Sequence, residues 1–298
     1  MRSKLWKLGA LCLVSVMLVG LFVACTPSKE VEEAASFPIE VTDQLGRVVK
    51  LEKIPERIIS LAPSNTEILF ALGLGDRVVA VTDYCDYPPE AQAKPKIGGY
   101  TTTNIEKVVA LSPDLVLAAY LQEKRIIPAL EGKGLTIFAL DPKTLDEVLE
   151  SITLVGEVTG KGEEASQLVA GMRNRIKAVT AKTDNLPAAQ RPTVFYLTWH
   201  DPLRTTGSGT RHDELIQKAG GINIARDLFT GYAAISLEDS PFQYVRTEPR
   251  LRNVDARINH RVYKILVDLA GRPGPRIVDG LELLAKYIHP EIFGPAEN

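Results

Sequence analysis

Aromatic side chains that could bind a flat ligand occur in two separate parts of the sequence. Tyr84 and Tyr100 lie in the first half of the chain, whereas Trp199, His200 and Tyr232 lie in the second half. A large, flat and partly apolar molecule is recognised by aromatic faces together with a few polar tips, and these residue types supply both. A lone tyrosine is usually a half-buried surface residue, but four aromatic residues on predicted loops indicate one binding cleft.

No pattern typical of catalysis occurs in the sequence: there is no nucleophile elbow, no phosphate loop and no metal-ligand helix, and the Gly-Ser-Gly segment at 207–209 is a predicted turn. A metal site in a cleft would draw ligands from both of its sides. All the histidines fall in the second half of the chain, at His200, His212, His260 and His289. We therefore expect a binding protein rather than an enzyme, with no metal and no cofactor.

The first residues of the chain have the pattern of an export signal. An apolar run over residues 8–23 follows three basic residues, which are Arg2, Lys4 and Lys7. The run is shorter than the roughly 20 residues of a membrane-spanning helix, and is typical of a secretory signal peptide. It ends in Ala24-Cys25, which resembles a bacterial lipobox, with Phe22 where leucine is usual. The sequence predicts removal of residues 1–24 and lipid attachment at Cys25, which would anchor the exported protein to the cell membrane.

The predicted mature chain is mildly acidic and has one free thiol. Removal of the signal takes away three basic residues and no acid, so the formal net charge goes from −2 to −5. This balance argues against nucleic acid or an anionic membrane surface as a partner. Cys12 leaves with the signal and Cys25 is lipidated, so Cys85 has no disulfide partner within the chain. The fold must therefore rest on its apolar core.

Short strands and helices alternate in two stretches of the chain, which is typical of parallel α/β sheets. The first stretch follows a predicted hairpin at 39–42 and 48–51, and has strands at 57–61, 78–81, 115–118 and 135–139 and helices at 65–72, 104–111 and 127–133. The second stretch has strands at 193–197 and 262–265 and helices at 214–219 and 275–288. Trp199 and His200 would then lie on a loop at the carboxyl end of a strand, where open α/β sheets bind ligands.

Two long helices, predicted over 145–159 and 163–183, separate these stretches. The chain is therefore divided into a lipid-anchored tether at 25–37, an N-terminal α/β lobe at 38–140, a helical region at 141–190 and a C-terminal α/β lobe at 191–298. We expect two α/β lobes joined by a single long helix, with the ligand cleft between the lobes.

Several sequence motifs resemble those of the helix-spanned class of periplasmic binding proteins. They are VTDQLGR at 41–47, RIISLAPSNTE at 57–67, SPDLV at 112–116, PGPR at 273–276 and HP at 289–290. The likeness covers nearly all of residues 38–293. It implies an extracytoplasmic, monomeric protein that binds a small molecule in its cleft and delivers it to the permease of an ABC importer.

The segment DYCDYPP at 83–89 looks most like the cobalamin-binding branch of this class. That resemblance implies a transported corrinoid, with Tyr84 and Tyr100 contacting it from one lobe and Tyr232 from the other. The class also serves haem and ferric siderophores, and siderophore sites often gather arginines. Arg204 and Arg211 lie near the predicted cleft, so these ligands remain alternatives.

Two glutamates, Glu106 and Glu238, match the positions at which this class docks on its importer. Both also fit a second interpretation, because acidic residues in a first helical turn cap helices. Thr103 with Glu106 and Ser64 with Glu67 read as capping boxes, and Ser236 with Asp239 is a close variant.

The second lobe departs from the class pattern after Glu238. The first lobe runs from Glu106 to a Pro-Asp-strand motif, but Glu238 is followed directly by 239–246 with no such strand. A helix and a central strand, roughly 20 to 30 residues, are missing. Loss of an interior parallel strand would leave its neighbours' backbone groups unpaired. The second lobe is therefore predicted to be rearranged, and a degenerate lipoprotein that binds nothing is a further alternative.

Overall fold

The computed structural model describes residues 37–200, 203–235 and 258–296, and the elements below are numbered over these residues. It begins with an antiparallel hairpin of β1 (Ile39–Thr42) and β2 (Val48–Leu51). The buried carboxylate of Asp43 orders the turn, since it accepts hydrogen bonds from the backbone of Leu45 and Arg47, both at 3.0 Å. The same carboxylate accepts from the backbone N–H of Ala139 at 3.0 Å. One side chain therefore closes the hairpin and fastens it to the first sheet.

The first sheet has four parallel strands in the order β4-β3-β5-β6. The strands are β3 (Ile58–Ser60), β4 (Val78–Val81), β5 (Leu115–Ala119) and β6 (Ile137–Leu140). Helices α1 (Pro63–Ala71), α2 (Pro89–Gln92), α3 (Ile105–Ala110) and α4 (Ile126–Glu131) connect them. Leu115 and Leu117 face one hydrophobic cluster, and Val116 faces another on the opposite side of the sheet. Burial on both faces explains why these strands read as uninterrupted apolar runs.

Two long helices follow, α5 (Leu145–Thr159) and α6 (Gly162–Thr183). A capping box begins α5: the Thr144 hydroxyl accepts from the Glu147 N–H at 3.2 Å, and the Glu147 carboxylate accepts from the Thr144 N–H at 3.3 Å. The helices pack closely at Gly156, where a Cβ would lie 2.4 Å from that of Ala165. Helix α6 is about 33 Å long and packs against α5 at one side and against helices of the C-terminal lobe at the other.

The C-terminal lobe holds two small sheets. Strands β7 (Thr193–Val194) and β10 (Ile222–Asn223) form a parallel pair, while β8 (Leu197–His200), β9 (Leu203–Thr206) and β11 (Tyr232–Ile235) form an antiparallel sheet in the order β11-β9-β8. The helices are α7 (Arg211–Lys218), α8 (Val267–Gly271), α9 (Ile277–Ile288) and α10 (Pro290–Phe293). Residues of α5, α6, α7 and α9 join one face of the first sheet in a common core, with Leu149, Met172, Leu215 and Leu281 buried.

Two predictions for this lobe are wrong. The strand expected over 193–197 stops at Val194, and the chain starts a new antiparallel strand at Leu197. The strand expected over 262–265 is irregular backbone. A short parallel strand needs a neighbour brought by a long crossover, whereas an antiparallel hairpin needs only the adjacent residues. Among the residues that the structure describes, no helix is long and apolar enough to cross a membrane.

Candidate functional site

The first group of candidate ligand residues lies at the carboxyl edge of the parallel sheet. Tyr84 is on the loop that follows β4, and its side chain is 61% exposed. The backbone N–H of Asp83 donates to the carbonyl of Gly98 at 3.0 Å, which brings the segment carrying Tyr100 beside this loop. Gln122, after β5, donates to the Tyr100 carbonyl at 2.8 Å. Burial raises the pKa of the Tyr100 hydroxyl to about 12, so this group stays a neutral hydrogen-bonding phenol.

Three cations hold the loop that carries Tyr84. The Lys96 ammonium donates to the carbonyl of Cys85 at 3.0 Å. Arg272, from the C-terminal lobe, donates to a carboxylate oxygen of Asp86 at 2.6 Å. The Arg276 guanidinium carbon lies 3.8 Å from the ring centroid of Tyr87, a cation–π contact. The position of this loop therefore depends on residues more than 180 positions later in the chain.

The two arginines meet at Glu67, whose carboxylate is buried. Arg276 donates from Nε and Nη2 to the two carboxylate oxygens at 2.9 and 2.6 Å, and Arg272 donates from Nη1 at 3.3 Å. The predicted capping box of Ser64 with Glu67 is wrong, because α1 begins after Ala62 and has no side-chain cap. Glu67 instead ties the first lobe to the C-terminal helices.

The second group of aromatic residues lies on the antiparallel sheet. Trp199 and His200 belong to strand β8 rather than to a loop, so their predicted location is wrong. Trp199 is paired with Arg204 on β9, and Tyr232 on β11 is paired with Thr206, two residues further along β9. Paired residues of antiparallel strands share a face, so Trp199 and Tyr232 point to the same side. Trp199 is 55% exposed and Tyr232 is 44% exposed.

A buried histidine, His212, contacts both the hydroxyl group and the ring of Tyr232. The Nδ1 atom of His212 lies 3.0 Å from the Tyr232 hydroxyl oxygen, and the two rings meet edge to face. Burial, with the nearby Arg211 charge, lowers the pKa of His212 to about 4. The imidazole is therefore neutral at pH 7.

The predicted docking glutamate of the first lobe lies on the surface. Glu106 is exposed in the first turn of α3. Its predicted capping box with Thr103 is wrong, because Asn104 caps the helix by accepting from the Lys107 N–H at 2.9 Å, and the Thr103 hydroxyl bonds to Gly99 instead. The capping box is therefore excluded for Glu106, while its place in the first turn of α3 still agrees with stabilisation by the helix dipole. Glu238, Cys25 and the variant cap at Ser236 and Asp239 lie outside the described residues, and the His200 side chain is not described.

Comparison with known families identifies the architecture. Residues 58–240 match the family model described as periplasmic binding protein, which is 183 of the 298 residues. The chain belongs to the periplasmic binding protein family. The resemblance seen in the sequence motifs and the expected fold of two α/β lobes joined by a long helix are confirmed.

Relatives of this periplasmic binding protein extend over most of its length. The ABC transporter substrate-binding lipoprotein YvrC of Bacillus subtilis (strain 168) is 34% identical over 98% of each chain. A vitamin B12-binding protein of Vibrio cholerae serotype O1 is 32% identical over 78% of this chain and 89% of its own. The crystal structure of the vitamin B12-binding protein BtuF of Vibrio cholerae matches with a TM-score of 0.65 at 30% identity, over 78% of this chain and 96% of that one. The haem-binding protein RhuT of Roseiflexus sp. RS-1 matches with a TM-score of 0.68 at 25% identity, over 78% and 98%.

These relationships establish the general function. The chain is an ABC transporter substrate-binding protein, and it works outside the cytoplasm with a membrane permease and a small-molecule ligand. It is not an enzyme, as the sequence predicted.

The alignment lengths bear on the predicted gap after Glu238. The Bacillus subtilis alignment spans 313 positions, whereas 98% of this chain is about 292 residues, so about 21 positions have no residue here. The family match also ends at residue 240. The place of the shortening, after Glu238, stays a prediction.

The sequence analysis missed two exposed tyrosines at the same edge of the first sheet. Tyr120 directly follows β5, is 46% exposed, and has the Lys143 ammonium 4.5 Å from its ring centroid. Tyr87 is 42% exposed. Their positions directly after or shortly after predicted strands were a usable signal, because carboxyl ends of parallel strands form one edge.

Proposed function

We propose that the ligand is a corrinoid such as cobalamin, held between the aromatic groups of the two lobes. The observation that carries this proposal is the exposure of large rings on both lobes: Tyr84, Trp199 and Tyr232 keep 61%, 55% and 44% of their surface accessible. Exposed aromatic rings with polar tips suit a broad macrocycle whose rim carries amides. The similarity to vitamin B12-binding proteins over most of the chain supports this ligand.

Haem or a ferric siderophore is the second candidate. The likeness to the haem-binding protein RhuT supports it, as do Arg204 and Arg211, which could pair with anionic ligands. A lipoprotein that binds no ligand is the third. The visible absorption spectrum of protein purified from its host separates the three, because corrins, haem and ferric siderophores absorb differently.

A titration that follows tryptophan fluorescence tests the corrinoid directly. The chain has two tryptophans, and Trp6 lies in the predicted signal, so Trp199 is the only one in the mature protein. Cyanocobalamin should quench its emission, and Tyr84→Ala should weaken binding by about 1–3 kcal/mol because one stacked face is lost. Tyr263→Ala is the control variant. Tyr263 is 44% exposed, as Tyr232 is, but its ring stacks on Tyr287.

Three binding results are expected if the proposal is correct. Wild type must bind cyanocobalamin, Tyr84→Ala must bind it more weakly, and Tyr263→Ala must bind it as wild type does. Absence of quenching and of calorimetric heat with wild type would overturn the corrinoid. Equal affinities of the wild type and Tyr84→Ala would remove Tyr84 from the site.

We further propose that Glu106 docks on the permease, with Glu238 as its counterpart, and that Cys25 carries the lipid. Glu106→Gln should leave the melting temperature and the ligand affinity unchanged, because Glu106 is exposed and Asn104 caps the helix. Binding to the permease should weaken by about 2–5 kcal/mol if the charge is paired in the interface. Co-purification of wild type, Glu106→Gln and Glu238→Gln with the permease measures this. Full transport by the double variant would exclude the docking role.

A further inference from the structure

Arg211 connects the two lobes beside the candidate ligand residues. It is the first residue of α7, and its Nη1 donates to the carbonyl of Pro142, which follows β6 of the first lobe. Its Nη2 makes a longer contact of 3.4 Å with the carbonyl of Gly271. Its charge acts on Tyr100 of the first lobe and on Tyr232 of the second, opposing the rise that burial causes in the pKa of both hydroxyls. Arg211 therefore lies near the ligand residues of both lobes.

The Nε atom of this guanidinium lacks a hydrogen-bond partner among the residues that the structure describes. This atom exposes less than 1 Å² of its surface. No carboxylate of the described residues forms an ion pair with Arg211: the negative charges of Asp141 and Glu147 act on it from a distance, and Asp141 is paired with the Lys143 ammonium at 2.5 Å. Arg211 is partly buried, and a charge that is withdrawn from water without a counter-ion is costly, because its lost hydration is not replaced.

Two other arginines of the chain use the same donor pair for an anion. Arg276 donates from Nε and Nη2 to the two oxygens of Glu67, at 2.9 and 2.6 Å. Arg175 does the same to Glu282, at 2.8 and 2.7 Å. This side-on bidentate geometry is the one by which arginine binds carboxylates and phosphates. Arg211 has the same donors, but its Nε is unpaired and its Nη2 has only the long contact with Gly271.

We propose that Arg211 binds an anionic group of the transported ligand through Nε and Nη2. The inference rests on the proposed function, under which the anion is the phosphodiester of a complete corrinoid; cobinamide lacks this group. If the ligand is haem, the equivalent group is a propionate carboxylate. Because Nε is shielded from solvent, the side chain must turn away from Gly271 as the anion enters.

A thermal-shift titration with sodium pyrophosphate tests the anion site without any macrocycle. Relative to sodium chloride at equal ionic strength, pyrophosphate should raise the melting temperature of wild type and of Arg175→Met, which removes a guanidinium that is already paired with Asp279 and Glu282. It should not raise that of Arg211→Met. Equal responses of the three proteins, or no response of wild type, would overturn the inference.

Calorimetry with cyanocobalamin and dicyanocobinamide identifies the source of the anion. Wild type should prefer cyanocobalamin, and Arg211→Met should lose about ten- to a hundredfold in affinity for it, as expected for charge-assisted hydrogen bonds. The affinity for dicyanocobinamide should not change. Arg211→Lys should recover only part of the loss, because lysine keeps the charge but not the paired donors.

The failures of the two proposals differ. If Arg211→Met binds both corrinoids as wild type does, the anion inference is wrong and the corrinoid proposal stands. If wild type binds neither corrinoid but binds haem, the ligand proposal is wrong, and haemin is compared with its dimethyl ester, which has no free carboxylate. Arg211→Met must then weaken haemin alone, and equal effects on haemin and its ester would overturn the inference.

Discussion

The strands of the two lobes pair in different ways. In the first lobe every residue of β5 and β6 is buried, and each strand of the parallel sheet has long-range partners. In the second lobe the parallel pair is two residues long, and the remaining described strands pair antiparallel. A parallel strand needs a neighbour delivered by a crossover, whereas an antiparallel strand can pair with the segment next to it in the sequence. The first lobe is thus a rigid support, whereas the second offers its aromatic residues on an exposed strand face.

The largest expected difference in stability is between variants of a buried phenylalanine of the first lobe and of an exposed phenylalanine of the second lobe. Phe138 in β6 is fully buried, whereas Phe195, next to β7, is 48% exposed. Phe138→Ala should lower the free energy of unfolding by about 3–5 kcal/mol, through lost apolar burial and the cavity left behind. Phe195→Ala should change it by less than about 1 kcal/mol. Urea denaturation of both variants measures the difference, and equal losses would contradict the difference in burial between Phe138 and Phe195.

The ion pairs that join the lobes should show the next largest difference. The Glu67 side chain is 2% exposed and serves two arginines, whereas Glu282, paired with Arg175, is 39% exposed. Glu67→Gln should cost about 3 kcal/mol, because it removes the buried carboxylate charge that pairs with Arg276, whereas Arg272 keeps Asp86 and Asp268 as partners. Glu282→Gln should cost less than about 1 kcal/mol, since solvent screens that pair. A neutral effect of Glu67→Gln on urea denaturation would show that the link between the lobes contributes little to stability.

Mild acid should destabilise the protein through His212, which is buried in the second lobe. The pKa of His212 falls from 6.5 to about 4 on folding. The unfolded chain then binds the proton more readily between these values, so stability is complete above pH 6.5 and declines as the pH falls toward 4. The slope is at most about 1.4 kcal/mol per pH unit.

His212→Gln provides the measurement of this effect. Between pH 7 and pH 5 the wild type should lose about 2 kcal/mol more in the free energy of unfolding than His212→Gln does. The difference between the two proteins isolates His212 from the carboxylates, which titrate in both. Parallel pH profiles would mean that His212 is protonated as easily in the folded protein as in the unfolded chain.

Local patterns predicted the elements that are buried on both faces or capped by neighbours. The hairpin at 39–42 and 48–51, strand β4 and helix α5 have the predicted bounds. Their signals are contained in short windows: apolar runs, a turn glycine and a helical period. For Tyr84 and Tyr100 the family resemblance predicted only that both contact the ligand from the same lobe, and it is the structure that brings their loops together, through the hydrogen bond from Asp83 to Gly98.

Contacts between residues far apart in the sequence could not be predicted from short sequence windows. Ser64 with Glu67 has the spacing of a capping box, yet Glu67 binds Arg276, 209 residues away. The location of Trp199 was also beyond a short window. The apolar run before it was predicted as one strand over 193–197, but β7 ends at Val194 and a new strand, β8, pairs antiparallel with β9.

The sequence by itself determined the compartment signals, the alternation of strands and helices, and the family, because these depend on residue types and on neighbours along the chain. Only the tertiary structure decided which buried charges are paired and which are not. Glu67 pairs with two arginines, whereas the Nε of Arg211 has no hydrogen-bond partner within residues 37–200, 203–235 and 258–296. The physical reason is that desolvation and ion pairing depend on what surrounds a side chain in space, and that environment is assembled from distant parts of the chain.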